Sequence, residues 1–365
     1  MLFIWLMAMI SACGPAPKPA TATPQAPTPI SMPVPTASQT LRPSATPTET
    51  ATLIPSLTFT PSPTLNPLTI AALRQRSYPG SDIQVEQALD PGINYDRFIV
   101  SYRSEGLKIF ALMTVPRGQK PASGWPVIIF NHGYIPPLAY TSTGNYVAHV
   151  DILSRAGYIV LKPDYRGNGK SEGVARSPYG TPDYSVDDLN AVASIKRYPG
   201  ADPQRIGMWG HSMGGHITLG AMVISTDIKA GVIWAGVVAS YPDLIYKWEP
   251  TPAGTRTPGD YHWQDQFLQE FGTPTQSPEL WASISATAYL KDLSGPLQLH
   301  HGTADTEVPY QWTVDLYNAV QAAGKTVEFY SYPGAGHNLL NEDFNLAIYR
   351  TLKFFDSYLK GRGSG

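Results

Sequence analysis

An α/β fold, with a mostly parallel eight-stranded sheet and helices on both faces, is predicted by three features of this 365-residue chain. From about residue 96, short apolar runs alternate with segments whose apolar residues fall at helical spacing, the pattern of parallel strands joined by covering helices. One such run, Arg205–Trp209, turns through Gly210-His211-Ser212-Met213-Gly214 directly into a helix-spaced segment. Two later runs end in loops bearing Asp305 and His337, and open α/β sheets gather their functional residues at such strand ends.

Strands over 97–103 and 107–115 form a hairpin, because Ser104-Glu105-Gly106 between them is turn-like. Residues 127–131, apolar until the last, read as a buried central strand. A helix over 145–156 and a strand over 158–162 follow. Ser185-x-x-Asp188 ahead of Leu189, Val192 and Ile195 has the form of a capping box, which places a helix over 185–198. Strand 205–209, helix 213–225 and strand 230–236 repeat the unit. Residues 241–290 break the alternation. They hold Pro242, Pro274 and Pro278 among Tyr246, Trp248, Phe267, Phe271 and Trp281, which predicts an insertion after the sixth strand acting as a lid or pocket wall. Strand 297–301, helix 311–323, strand 327–332 and helix 342–360 complete a catalytic domain over 96–362.

Hydrophobic residues make up 42% of the chain, enough for a substantial core. A net charge of −2 and a pI near 6.4, with lysine and arginine scattered rather than striped, provide no electrostatic footprint for nucleic acid. Leu2–Ile10 is an uninterrupted apolar run, too short to span a membrane and of the length of a signal-peptide core. It leads through Ser11-Ala12 to Cys13, the only cysteine, so residues 1–12 resemble a bacterial signal peptide with a lipobox. Lipid attachment at Cys13 and export to the membrane surface are expected. Between residues 14 and 67 there are fourteen prolines and twelve threonines, with only Lys18, Arg42 and Glu49 charged. That composition forbids helix and central strand and predicts an extended, disordered linker over 13–67. Residues 68–95 form a lead segment without an assigned element.

Gly-x-Ser-x-Gly is short enough to arise by chance, and Gly169-Lys170-Ser171-Glu172-Gly173 is a second copy. That copy follows a polar turn and runs into Pro178 and Pro182, which rule out a regular helix. It also fails as a phosphate loop, since Asp164 occupies the first glycine position. Ser212 has the strand-to-helix setting, where Gly210 and Gly214 permit close approach and the hydroxyl lies at a helix N-terminus able to receive an oxyanion. A serine hydroxyl is a weak nucleophile until an imidazole takes its proton, and the imidazole needs a carboxylate to fix its tautomer. Asp305 and His337 supply both, in the order Ser212, Asp305, His337. His132 and His211 read as structural neighbours. Adjacent His300 and His301 project to opposite faces of a strand, a poor pair of metal ligands. No cofactor and no metal is expected.

From Asp187 onward the chain resembles the catalytic domain of the prolyl oligopeptidase family, within the α/β-hydrolase fold. The resemblance is carried by residues 188–196, Asp202–Ile206, Gly210–Gly215, His301–Asp305 with Val308-Pro309, and Tyr332–His337. Upstream, Phe130–Tyr134 and Asp164–Gly167 match the fold more broadly. The resemblance implies Ser212, Asp305 and His337 as the triad, and the backbone N–H groups of Met213 and Tyr134 as oxyanion donors. Two departures bear on the substrate. Residues 14–67 cannot form the β-propeller that gates many oligopeptidases. Glu307 stands two residues after the triad acid, where family peptidases tend to carry a carbonyl-binding arginine. Ester hydrolysis is therefore the expected reaction, with peptide hydrolysis as the alternative and a non-catalytic surface binding module as a third reading. The expected substrate is a small ester or short peptide, contacted by Glu307, Trp248 and Trp281.

Overall fold

The computed structural model describes residues 65–248 and 263–361. The expected signal peptide, Cys13, the linker as far as residue 64, and residues 249–262 of the insertion lie outside the described residues.

Among the described residues nine strands form one sheet: β1 (Gln84–Leu89), β2 (Tyr95–Ser104), β3 (Leu107–Pro116), β4 (Trp125–Asn131), β5 (Ile159–Pro163), β6 (Ala201–His211), β7 (Ile228–Trp234), β8 (Leu297–Gly302) and β9 (Val327–Tyr332). Their order is β1-β2-β3-β5-β4-β6-β7-β8-β9. Pairing is antiparallel from β1 to β5 and parallel from there to β9. The β2–β3 hairpin closes through Glu105 and Gly106, both at positive φ, the two-residue turn whose twist matches its strands.

β1 is the strand beyond the eight expected, and it comes from the lead segment. Five of its six residues are exposed, so it carries no buried alternation by which sequence reveals a strand. Just before it, α1 (Ile70–Gln75) is capped by the Thr69 hydroxyl, which accepts the Ala72 N–H, and buries Ile70 and Leu73. The Arg74 guanidinium donates to the Val223 carbonyl. The lead segment is thus part of the same domain.

Helices cover both faces. Along β4, Val127 and Ile129 enter one core, while Ile128 and Phe130 enter the other, the two-residue period of a strand buried on both sides. α3 (Asp183–Ile195), α4 (Met213–Ile224) and α8 (Tyr310–Ala322) pack on the first face through Leu189, Ile217 and Trp312. On the other, α2 (Val147–Arg155) and α9 (Glu342–Leu359) contribute Leu153 and Phe355. α3 begins at Asp183 behind Pro182. Ser185 therefore lies in its first turn, and Asp188 is buried in its body instead of capping it.

The insertion follows β7 and contains α5 (Tyr241–Tyr246), α6 (Trp263–Phe271) and α7 (Pro278–Ile284), then a 3-10 turn over Ala286–Asp292. Tyr241, Trp263, Phe267 and Trp281 are buried against one another, with Tyr241 and Phe267 stacked at 6.0 Å. These aromatics fill a core.

Candidate active site

β6 ends at His211 and α4 begins at Met213, so Ser212 alone turns the chain, at φ 53° and ψ −118°. A non-glycine residue holds that conformation only where its surroundings enforce it. Here its N–H donates to the Trp234 carbonyl at 3.0 Å, and its carbonyl accepts from Gly215 and Val237 N–H at 2.9 and 3.1 Å. α4 also lies hard against β4, where a Cβ on Gly214 would collide with the Asn131 carbonyl. Met213 opens α4, so its N–H has no acceptor within the helix. The chain leaving β4 passes beside the serine: a Cβ on Gly133 would sit 3.3 Å from Ser212 Cβ. That approach brings Tyr134 to the mouth of the same cavity.

His337 Nδ1–H donates to Asp305 Oδ2 at 2.7 Å. His301 Nε2–H donates to the same oxygen at 2.9 Å, while its Nδ1 accepts the Thr313 hydroxyl at 2.6 Å. Asp305 Oδ1 accepts the N–H groups of Glu307 and Val308 at 2.8 and 3.0 Å. Burial opposes charge on this carboxyl, but the hydrogen bonds from His301, His337 and Val308 win and hold it well below the usual carboxylate range. Asp305 is thus ionised at neutral pH, and it fixes His337 with Nε2 free of it.

A cavity of about 650 Å³ opens over Ser212 and is lined also by His337, Tyr134, Glu307, Tyr146 and Phe344. Glu307 Oε2 lies 3.8 Å from His337 Nε2. Trp248 and Trp281 are not among the lining residues, contrary to expectation. Trp281 is buried, with its Nε1–H on the Gly272 carbonyl at 3.3 Å. Trp248 packs on Tyr179 and Trp312 and donates to the Glu307 carbonyl at 3.3 Å. Trp281 is taken up by the insertion's own aromatic packing, and Trp248 by rings outside it, Tyr179 and Trp312 of α8. Ser171, of the second Gly-x-Ser-x-Gly copy, uses its hydroxyl to accept the Phe110 N–H at 2.9 Å.

Two positioning residues escaped the sequence analysis. His301 is one, hidden because its bond to Asp305 crosses a loop with no periodicity to mark it. The other is Tyr146. Its hydroxyl accepts the Gly133 N–H and donates to His211 Nδ1, both at 2.8 Å, and His211 Nε2–H donates to the His337 carbonyl at 3.1 Å. Burial pushes His211 down to about 3, which keeps Nδ1 an acceptor. Tyr146 and His211 thereby tie the loop after β4 to the backbone of His337. His132, stacked on Tyr140 and tilted against Tyr165, is buried, and His300 bonds Tyr332 and Gln298 on the far side of β8 from His301.

A model of the prolyl oligopeptidase family matches residues 145–362. The chain is 28% identical over 246 residues to the "uncharacterized peptidase YuxL" of Bacillus subtilis (strain 168), covering 66% of this chain and 35% of that protein. It therefore spans about a third of that relative's length. It is similar, at 25% identity and a TM-score of 0.59, to an acylaminoacyl peptidase solved in complex with Z-Gly-Gly-Phe-chloromethyl ketone, over 74% of this chain and 43% of that one. Acetyl xylan esterase 1 from Thermoanaerobacterium sp. JW/SL YS485 shares the fold at 17% identity and a TM-score of 0.58, over 78% and 90% of the two chains. With the family match extending over more than half of its length, from before α2 through the site to the end of α9, the chain belongs to the prolyl oligopeptidase family.

Proposed function

We propose that this chain is a serine hydrolase that works through an acyl-enzyme on Ser212 and prefers carboxylic esters to peptides. One observation carries the reaction class: His337 is held by Asp305 at 2.7 Å and lines the cavity that Ser212 opens onto. In this reading Nε2 of His337 takes the Ser212 proton as Oγ attacks the scissile carbonyl. The N–H groups of Met213 and Tyr134 receive the oxyanion. His337 then delivers the proton to the departing oxygen, and water, activated by the same nitrogen, releases the acid. A binding module would have no use for these groups in this order.

The preference for esters rests on Glu307. A peptide's amine must be protonated in place, which demands firm alignment on both sides of the bond, and an ester's better leaving group relaxes that demand. A carboxylate beside His337 cannot hold a substrate carbonyl as an arginine would. The peptide reading is favoured by family membership. Ser212→Ala is expected to abolish turnover with the fold intact, leaving at most about 10³–10⁴ over water. Short-chain acyl esters are expected to exceed aminoacyl and X-Pro amides in kcat/KM by about 10²-fold or more. Near wild-type activity in the alanine variant would remove the serine mechanism, and equal efficiency on the amides would establish the peptidase reading.

The run Leu2–Ile10 before Ser11-Ala12-Cys13 supports a further part of the proposal. Cys13 carries lipid, and the Pro/Thr-rich linker holds the catalytic domain away from a membrane surface outside the cytoplasm.

A further inference from the structure

Resting on Ser212 as the nucleophile, we propose that Glu307 selects esters whose leaving alcohol carries a positive charge close to the scissile bond. His337 Nδ1 is committed to Asp305, so Nε2 is the nitrogen that must reach the departing oxygen. Glu307 Oε2 lies 3.8 Å from that nitrogen. An oxygen within hydrogen-bond reach of Nε2 is therefore within about 7 Å of the carboxylate. The charge thus stands on the leaving-group side of the bond.

Among the described residues nothing else on the cavity wall competes for that role, since those that line it include no lysine or arginine and no second carboxylate. His149 and His211 also line it, and burial pushes both down to about 3, so neither offsets Glu307. Among the described residues Glu307 pairs with no lysine or arginine. Its backbone is fixed at both ends, by N–H on Asp305 Oδ1 at 2.8 Å and by Trp248 Nε1–H on its carbonyl at 3.3 Å. Its side chain remains 65% exposed, open to a substrate but screened by water. The aromatic walls supplied by Tyr134, Tyr146 and Phe344 suit an alkylated ammonium, which is attracted to ring faces. For an exposed carboxylate the expected preference is about two- to fivefold.

The test compares kcat/KM of the full chain for 2-(trimethylammonio)ethyl acetate and 3,3-dimethylbutyl acetate, which share a shape and differ by one charge. A third substrate, an ethyl ester of trimethylammonioacetate, moves the cation to the acyl side. Glu307→Gln is expected to lower the ratio of charged over neutral acetate about two- to fivefold relative to wild type, and less at high salt. An unchanged ratio in the variant, a parallel loss on both acetates, or an equal Glu307→Gln loss on the acyl-side cation would overturn the proposal. Hydrolysis of the neutral acetate that survives Ser212→Ala would overturn the serine reading instead, so the two failures are distinguishable.

Discussion

At Tyr146 the backbone stands at φ 60°, in the left-handed region, and the side chain spans from Gly133 to His211. Holding a tyrosine there costs on the order of 1 kcal/mol or more, a cost offset by two hydrogen bonds and ring contacts with Phe130 and Trp209. Because Gly133 precedes Tyr134 and His211 reaches the His337 carbonyl, the hydroxyl links the proposed oxyanion side to the proposed base side. Tyr146→Phe keeps the ring packing and removes only that link. It is expected to lower kcat about 10- to 100-fold with KM nearly unchanged. Steady-state kinetics check this: a raised KM with unchanged kcat would make Tyr146 a binding residue instead.

Among the elements, α3 shows how packing overrides a local signal. Ser185 and Asp188 have capping spacing, yet the helix starts at Asp183, and Asp188 turns inward and is fully buried. Burial pushes its carboxyl up to about 8, with the nearby Asn131 amide opposing in part and Asp187 adding in the same direction. The folded state therefore keeps a proton that the unfolded chain releases near pH 4, so this group lowers stability progressively as pH rises from about 4 to about 8. One proton contributes a slope of up to about 1.4 kcal/mol per pH unit. Asp188→Asn removes it, and denaturant unfolding at pH 5 and pH 7.5 is expected to show the variant gaining on wild type at the higher pH. A gap that moves the other way would refute the burial argument.

For the whole molecule, the domain extends back to α1 and β1, so the lead segment over 68–95 belongs to it and the proposed tether is the segment before that. Intact mass of the native protein tests the tether. The expected chain begins at Cys13 and carries added acyl mass. A chain that retains Met1, or one cut elsewhere without acyl mass, would exclude lipid anchoring.

Periodicity along the chain was sufficient for most of the fold. The continuous apolar run of β4 and the helical spacing of α2, α4, α8 and α9 report burial one element at a time, and the Gly-x-Ser-x-Gly turn reports a backbone constraint only small residues satisfy. The order of Ser212, Asp305 and His337 was legible for the same reason, since each stands just beyond a parallel strand. What only the tertiary structure decided concerns groups far apart in sequence. The exposed edge strand β1 has no apolar pattern to read and exists because β2 offers it a partner. Composition places Trp248 and Trp281 at the pocket, but Trp281 packs within the insertion and Trp248 against Tyr179 and Trp312. The Tyr146–His211 link and the 3.8 Å between Glu307 and His337 join segments that follow or end different strands. Local sequence encodes which face of an element is buried; distances between loops are set by how the sheet stacks and twists, which no single segment records.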